Sequence, residues 1–347
     1  MRALVFKDYG SIAVEDVPKP GIEDSRDALV RITTSAICGS DLHVLNGRIP
    51  GMNPGGVLGH EFVGVVEETG PDVTRVHEGD RVVGSFLIPC GECWFCGRGL
   101  FSRCPDQRVF GYGSFLGDVA GAQAEYVRVP NADLTLHTVH SHLTDEHAIF
   151  AGDIFTTGYD AASEAQIKQG DTVAVVGCGP VGLMAILAAK SFGPEKIYAI
   201  DTVSQRLEMA QTFGAIPVDG TQVHAPSHIQ DITEGRGADE VVECVGSVPA
   251  LLDSIDMVRP GGRISVIGVH GDPDLPMALN LTFVRAVDLK FCGTANIPGR
   301  WDEALEMIDS GRVHPDDIIS HRMKLDDAVR GYELFESREA LKVVLTP

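Results

Sequence analysis

Lysine is scarce in this chain: only eight of its 28 basic residues are lysines, and these 28 face 49 acidic residues, for a formal charge of −21. Such an excess repels phosphate backbones and anionic lipid surfaces, which excludes nucleic acid and membrane as expected partners. The acids are spread along the chain instead of forming a block, so they read as a solvated surface and not as an interaction tail. That surface suits a high-salt cytoplasm, and it suits an ordinary acidic protein equally. Long apolar runs are also missing, since none reaches the roughly 18 residues that a membrane span needs. The opening MRALVFKDYGSIAVEDV alternates like a strand and carries charges where a signal peptide needs an apolar core. A soluble cytoplasmic protein is therefore expected. What the chain has is size: 347 residues, 44% hydrophobic and 22% charged, are enough for a substantial core and suggest two domains.

Residues 37–70 carry the first chemical signal. Cys38, His60 and Glu61 supply a thiol, an imidazole and a carboxylate, the donor types that hold zinc. A catalytic zinc needs three protein ligands and one open position, so a further ligand is expected elsewhere in the chain. The alternating ALVRITTSAI reads as a strand delivering Cys38 at its end, and EFVGVVEETG as a second strand starting at His60 and Glu61. Two such segments converge on one ion only if the strands lie side by side, which makes the first half mainly β. Taken singly, a buried structural cysteine and a hydrogen-bonded core histidine would account for Cys38 and His60.

A second metal signal is contiguous. Cys90, Cys93, Cys96 and Cys104 form CxxCxxCx7C, four thiols in a loop too short to fold by packing alone. A four-thiolate site has no open position, so the expected role is structural, with an iron–sulfur cluster as the competing reading. A reducing cytosol disfavours disulfides here. Cys178, Cys244 and Cys292 read as core residues. His137, His140, His142 and His147 have a spacing that suits no metal site, and they read as mostly solvated, with adventitious metal binding as the alternative.

The second half changes character. GDTVAVVGCGPVGLMAILAAKSFGPEKIYAID contains a buried strand, a glycine turn, a helix of period 3.6 and a strand ending in an acid. This is the pattern of a dinucleotide-binding βαβ unit. Gly177 permits the tight turn, Gly179 lets the backbone approach a pyrophosphate, and Gly182 lets helix and strand pack closely, with Pro180 and Val181 inside the turn. The helix N-terminus then faces the phosphates. Asp201 is placed to accept both hydroxyls of an adenosine ribose, whereas a 2′-phosphate there would meet like charge, so NAD is expected over NADP. Gly246 and Ile267–Val269 end later strands, where ligands bind in doubly wound sheets.

GHEFVGVVEETG at 59–70 and CGSDLH at 38–43 resemble the signature and ligand segments of the zinc-dependent medium-chain alcohol dehydrogenases. The resemblance covers essentially the whole chain. It implies an α/β protein with a doubly wound parallel Rossmann sheet, residues 154–294, and a mainly β, GroES-like catalytic domain, residues 1–153 and 295–347. By resemblance Cys38 and His60 are permanent zinc ligands, Glu61 is an alternating one, and Asp153 completes the catalytic site in the branch that uses Asp for Cys. A helix N-cap is the plainer reading of Asp153. The resemblance also favours a structural zinc over a cluster at the four cysteines, giving two zinc ions per chain. It makes Ser40 the first acceptor and His43 the exit of the proton that an alcohol must lose before giving up hydride. It further implies Phe86 near the substrate, Thr157 against the nicotinamide and Arg206 at the ribose. Ile267 and Val269 would line the nicotinamide pocket, and Lys342 would lie near the pyrophosphate, a surface lysine being the alternative. Arg206 could equally receive a 2′-phosphate.

The implied activity is hydride transfer between a primary or secondary alcohol, or the matching aldehyde or ketone, and NAD. Formaldehyde, polyol and threonine dehydrogenases of the same family are alternatives. A homodimer or homotetramer is expected. From a different class, the chain would be a non-catalytic NAD-binding scaffold that retains only the structural zinc.

Overall fold

The alternating stretch ALVRITTSAI forms the strand Ala28–Ile37, and three further strands pair directly with it. In this computed structural model, which describes all 347 residues, the chain divides into two units, Met1–Asp153 with Asn296–Pro347, and Ile154–Ala295.

In the first unit Ala28–Ile37 runs antiparallel to Glu61–Thr69, to Tyr126–Val129 and to the C-terminal strand Val343–Thr346. Outer positions of this mixed sheet are taken by His321–Lys324 on one side and by Arg81–Gly84 and Leu136–Thr138 on the other. Register matters more than composition here. Ala36 lies opposite Glu61 and Ile37 opposite Val343, so Cys38, His60–Glu61 and Lys342 gather at one end of the sheet. Phe62 and Phe110 meet edge-on at 5.5 Å inside the core beneath that end, a pairing worth about 0.5–1.5 kcal/mol beyond the area it buries. A second core joins Leu4, Phe6, Ile37 and Leu58 to Leu325, Tyr332, Val343 and Leu345, and so binds the returning tail to the N-terminal strands.

The second unit is a six-stranded, all-parallel sheet. Its spatial order is Ile216–Asp219, Lys196–Asp201, Thr172–Val176, Ala238–Glu243, Val258–Val266, Asp288–Phe291. Chain order reverses between Thr172–Val176 and Ala238–Glu243, the switch point of a doubly wound sheet. Thr172–Val176 is buried on both faces, as strands covered by helices on either side must be. The helix Pro180–Ala189 buries eight of its ten residues, which explains why it lacks a polar stripe.

Two elements depart from the sequence reading. The stretch 219–237, read as a polar connection, contains the helix Ala225–Ile232. Its apolar face is only Ala225, Ile229 and Ile232, and the polar residues between them hide the periodicity. A helix, Gly39–Leu45, also follows Cys38 directly and carries Ser40 and His43 one turn apart on one face.

Candidate functional site

Four side chains meet where the central strands of the first unit end. The ligand atoms of Cys38, His60, Glu61 and Asp153 all lie within 4.8 Å of one another. Asp153 Oδ2 is 3.2 Å from His60 Nε2 and 3.6 Å from Cys38 Sγ. Donors around a tetrahedral zinc stand about 3.3–3.6 Å apart, given its usual bond lengths, so these three are already spaced for the ion. Asp153 sits just before the helix Ile154–Glu164, the place of an N-cap, but its carboxylate faces His60 and Cys38.

The electrostatics also call for a cation. His60, Glu61 and Asp153 are 2%, 1% and 6% exposed, and the one ammonium buried with them is Lys342, itself 1% exposed. Burial pushes the Cys38 thiol up, and Asp153 and Glu61 add to that. Burial likewise raises the Glu61 carboxyl to about 7 despite the charge of Lys342. His60 shows the opposite balance: burial opposes its charge, but the Asp41 carboxylate holds it well above its usual value. A divalent ion on the thiolate, the imidazole and Asp153 would compensate these buried acids, and one carboxylate oxygen, Glu61 Oε1, is buried with no hydrogen-bond partner. The donor set therefore fits zinc.

Three residues around the cluster have places that the sequence alone did not give them. Asp41, 1% exposed, places Oδ1 3.1 Å from His60 Nδ1, while its Oδ2 accepts the Cys38 backbone N–H at 2.9 Å. One carboxylate thus contacts both Cys38 and His60, placed as the carboxylates that stand behind metal-binding histidines are. Its position three residues after Cys38, at a helix start, is that of a capping-box acid, and that was the available clue. Tyr112 packs its ring edge-on to His60 at 5.5 Å, beside Ser40; burial pushes its phenol up. Lys342, expected near the pyrophosphate or at the surface, is instead buried in the first unit: its Nζ pairs with Glu61 Oε2 and donates to Ile37 O at 3.1 Å. No local pattern foretells this, because the contact arises from strand register. Ser40 Oγ lies 3.4 Å from His60 Nε2, Phe86 sits with its ring 6.0 Å from that of His60, and His43 is half-buried, which pulls its imidazole below its ordinary value.

Four further thiols, of Cys90, Cys93, Cys96 and Cys104, form a separate group. Sulfurs of Cys93 and Cys96 stand 3.5 Å apart and those of Cys90 and Cys96 3.9 Å, against about 3.8 Å for thiolates on a tetrahedral zinc. The backbone N–H of Cys96 helps lower the Cys93 thiol to about 7, which favours the thiolate a metal needs. Cys178 and Cys292 are buried, and Cys244 is partly so.

In the second unit the glycine turn has the form expected for a dinucleotide. Gly177 has φ +87°, and a Cβ on Gly182 would lie 1.8 Å from Gly177 O, so helix and strand touch there. Gly179, the N-cap of Pro180–Ala189, makes no side-chain cap, and a Cβ built on it meets only an arginine tip at 3.9 Å. An uncapped helix N-terminus beside open space is what a pyrophosphate requires, with Pro180 taking the first helical position and Val181 the next. Asp201 accepts N–H groups from Cys178 at 2.7 Å, Thr202 at 2.7 Å and Val203 at 2.9 Å, with Arg206 Nη1 3.8 Å away. These occupy about three of the four acceptor directions of a carboxylate. Gly246 and Val269 come into backbone contact at the ends of neighbouring strands; Ile267 is buried and Val269 is 61% exposed. Thr157 is buried in the helix Ile154–Glu164 of the same unit.

Residues 24–139 match the alcohol dehydrogenase GroES-like domain, and residues 180–310 match the zinc-binding dehydrogenase family. Zinc-type alcohol dehydrogenase B of Aspergillus flavus is 39% identical over 99% of this chain and 81% of its own length. A sorbitol dehydrogenase of Halalkalibacterium halodurans is 30% identical, covering 100% of this chain and 99% of the relative. The solved alcohol dehydrogenase of Thermus sp. ATN1 superposes with a TM-score of 0.96 at 44% identity, over 100% of this chain and 99% of that one. No helix is long and apolar enough to cross a membrane. Motifs, topology and relatives agree: the chain belongs to the zinc-dependent medium-chain alcohol dehydrogenases, oxidoreductases of alcohols that use a nicotinamide cofactor.

Proposed function

We propose that the protein oxidises a primary or secondary alcohol with NAD, or reduces the matching carbonyl, at the cluster of Cys38, His60 and Asp153. The observation that carries this reading is the spacing of those three donors, 3.2 and 3.6 Å about Asp153 Oδ2, with two aromatic rings edge-on to His60. Zinc, when held there, supplies Lewis-acid polarisation of the substrate oxygen, and the nicotinamide supplies the hydride acceptor.

The chain's own groups do the rest. Asp41 keeps His60 Nε2 aimed into the cluster. Ser40, beside Tyr112, takes the hydroxyl proton, and His43, one turn along the same helix, is its exit. Glu61 is held by Lys342 as a reserve ligand. Phe86 and Tyr112 present apolar ring surface to the substrate, which favours a simple alcohol over a polyol, although the sorbitol dehydrogenase relative keeps a polyol in the test. In the second unit Gly177, Gly179 and Gly182 shape the turn for the pyrophosphate, and Thr157, Gly246, Ile267 and Val269 serve the nicotinamide half. Asp201 has acceptor capacity left for about one ribose hydroxyl, and its negative charge still opposes a 2′-phosphate. Cys90, Cys93, Cys96 and Cys104 hold the second, structural zinc, which suits a reducing cytoplasm.

The second unit also suggests self-association. Asp288–Phe291 is an edge strand, and beside it Leu279, Leu281, Phe283 and Val284 are 68%, 61%, 81% and 79% exposed. Apolar surface of that kind beside an unpaired edge fits a second copy of this chain, as a homodimer or part of a homotetramer.

Zinc content per chain, measured alongside NAD- and NADP-linked turnover of alcohols, polyols and formaldehyde, tests the reading. Two zinc ions and NAD-linked oxidation of a simple alcohol are expected. One zinc with no turnover of any substrate would leave the binding-scaffold reading in its place.

A further inference from the structure

Among the histidines of residues 137–147, His140 and His142 stay exposed as expected, but three of the four lie beside a carboxylate. His140 and His142 approach the same oxygen of Asp309, at 2.8 and 3.1 Å, while His147 meets His314 and Asp316. Both groups lie within the first unit, and they differ in one respect that decides between them. The first has ordinary hydrogen-bond distances, and its imidazoles are 71% and 61% exposed. In the second, His147 Nε2 stands 3.3 Å from Asp316 Oδ1, the separation of a nitrogen and an oxygen sharing a tetrahedral zinc, about 3.3 Å.

The geometry points to a further metal site on His147, His314 and Asp316, taking a divalent transition ion of the zinc class. Asp316 Oδ1 is buried and has no hydrogen-bond partner, an acceptor left open toward the two imidazoles. His147 is held from behind: Thr144 Oγ1 lies 2.6 Å from its Nδ1 and also accepts its backbone N–H at 3.2 Å. With Nδ1 engaged, Nε2 is the nitrogen presented to Asp316, and its ring is oriented as second-shell partners orient metal-binding histidines. His314 completes the set, its ring 6.4 Å from that of His147 at 69°, with the three ligand atoms within 4.8 Å of one another. Arg322, a nearby positive charge, is spent on both oxygens of Glu146. Three ligands with His314 exposed leave a fourth position for water.

Such an ion would join the helix Asp145–Ala148 to the short turn Pro315–Ile318, and the helix leads through Ile149–Gly152 into Asp153. Occupancy would therefore brace the segment that carries a donor of the catalytic cluster.

The test uses the zinc-loaded protein, with both high-affinity ions in place, titrated with further Zn2+ in chelator-free buffer by calorimetry. One additional equivalent is expected, with a rise in Tm as it fills. His314→Ala, an exposed change, and Asp316→Asn should each weaken that binding by about tenfold or more, and His140→Ala/His142→Ala should leave it intact. Absence of the extra equivalent overturns the proposal. So does an extra equivalent that survives His314→Ala and Asp316→Asn, or one that disappears in His140→Ala/His142→Ala.

Discussion

The two zinc-type clusters of the first unit bring together four donors each, and there the likeness stops. Cys90, Cys93, Cys96 and Cys104 come from one loop, offer four identical thiols and have no charged side chain bonded to them. Cys38, His60 with Glu61, and Asp153 come from three separate segments, mix three donor types, and are paired with Asp41 and Lys342. A closed set of thiolates needs nothing beyond its own spacing to hold an ion. A mixed set that must keep a position open needs outside groups to aim each ligand and to balance charge. The difference between structural and catalytic metal is thus written in the neighbours as much as in the ligands.

Deleting one donor from each cluster gives the largest contrast. Asp153→Ala is expected to release one zinc per chain and lower kcat by about a thousandfold or more, with NAD binding unchanged. Cys96→Ser should release the other zinc and lower Tm by roughly 10 °C, while the folded fraction keeps most of its turnover. Metal analysis with steady-state kinetics reads both. Equal loss of turnover in the two variants would erase the distinction.

Lys342 sharpens it next. Removing the ammonium by Lys342→Met leaves Glu61 buried without its partner, at a cost of about 3–5 kcal/mol of stability. Lys342→Met/Glu61→Gln should recover most of that loss in denaturant unfolding; no recovery would mean that Lys342 acts by packing. The same carboxyl gives a pH signature in the metal-free protein. Burial raises Glu61 from 4.5 to about 7, so its contribution is fully present below pH 4.5 and is lost as pH rises through 7. Metal-free protein should therefore lose stability between pH 5 and 8 by a component that Glu61→Gln lacks.

Asp41 comes third. Asp41→Asn keeps the shape but not the charge behind His60, and it should weaken zinc at the mixed cluster by about 10–100-fold. Chelator competition would show the four-thiol site unaffected. Unchanged affinity at both sites would show that His60 needs no such orientation.

These same residues mark how far the sequence could be read. The four cysteines and the glycine turn are contiguous, so their spacing is their geometry, and strand, turn and helix follow in order around Gly177–Gly182. Cys38, His60 and Asp153 were reachable because each sits in a recognisable segment. Asp41, Tyr112 and the burial of Lys342 were not, since their roles depend on which strand lies beside which. Ile37 opposite Val343 places Lys342 against Glu61, a fact of register separated by some three hundred residues of chain. The helix Ala225–Ile232 escaped for a local reason, three apolar positions being too few to show a period.

The smallest effect tests the outer layer of both clusters. Tyr112 lies beside Ser40 at the mixed cluster, and Trp94 lies under the Arg98 guanidinium, 3.7 Å away, on the four-thiol loop. A neutral hydrogen bond is worth about 1 kcal/mol, so if the Tyr112 hydroxyl engages Ser40 during turnover, Tyr112→Phe should lower kcat roughly fivefold with zinc content and KM little changed. An exposed cation–π contact is worth about 0.5–1 kcal/mol, so Trp94→Ala should cost that much stability and nothing in turnover. If Tyr112→Phe leaves kcat unchanged while its pH profile is also unmoved, Tyr112 only fills space, and the mixed cluster's working surroundings end at Ser40. If Trp94→Ala lowers kcat, the four-thiol loop reaches the chemistry after all, and the division between the two sites would have to be redrawn.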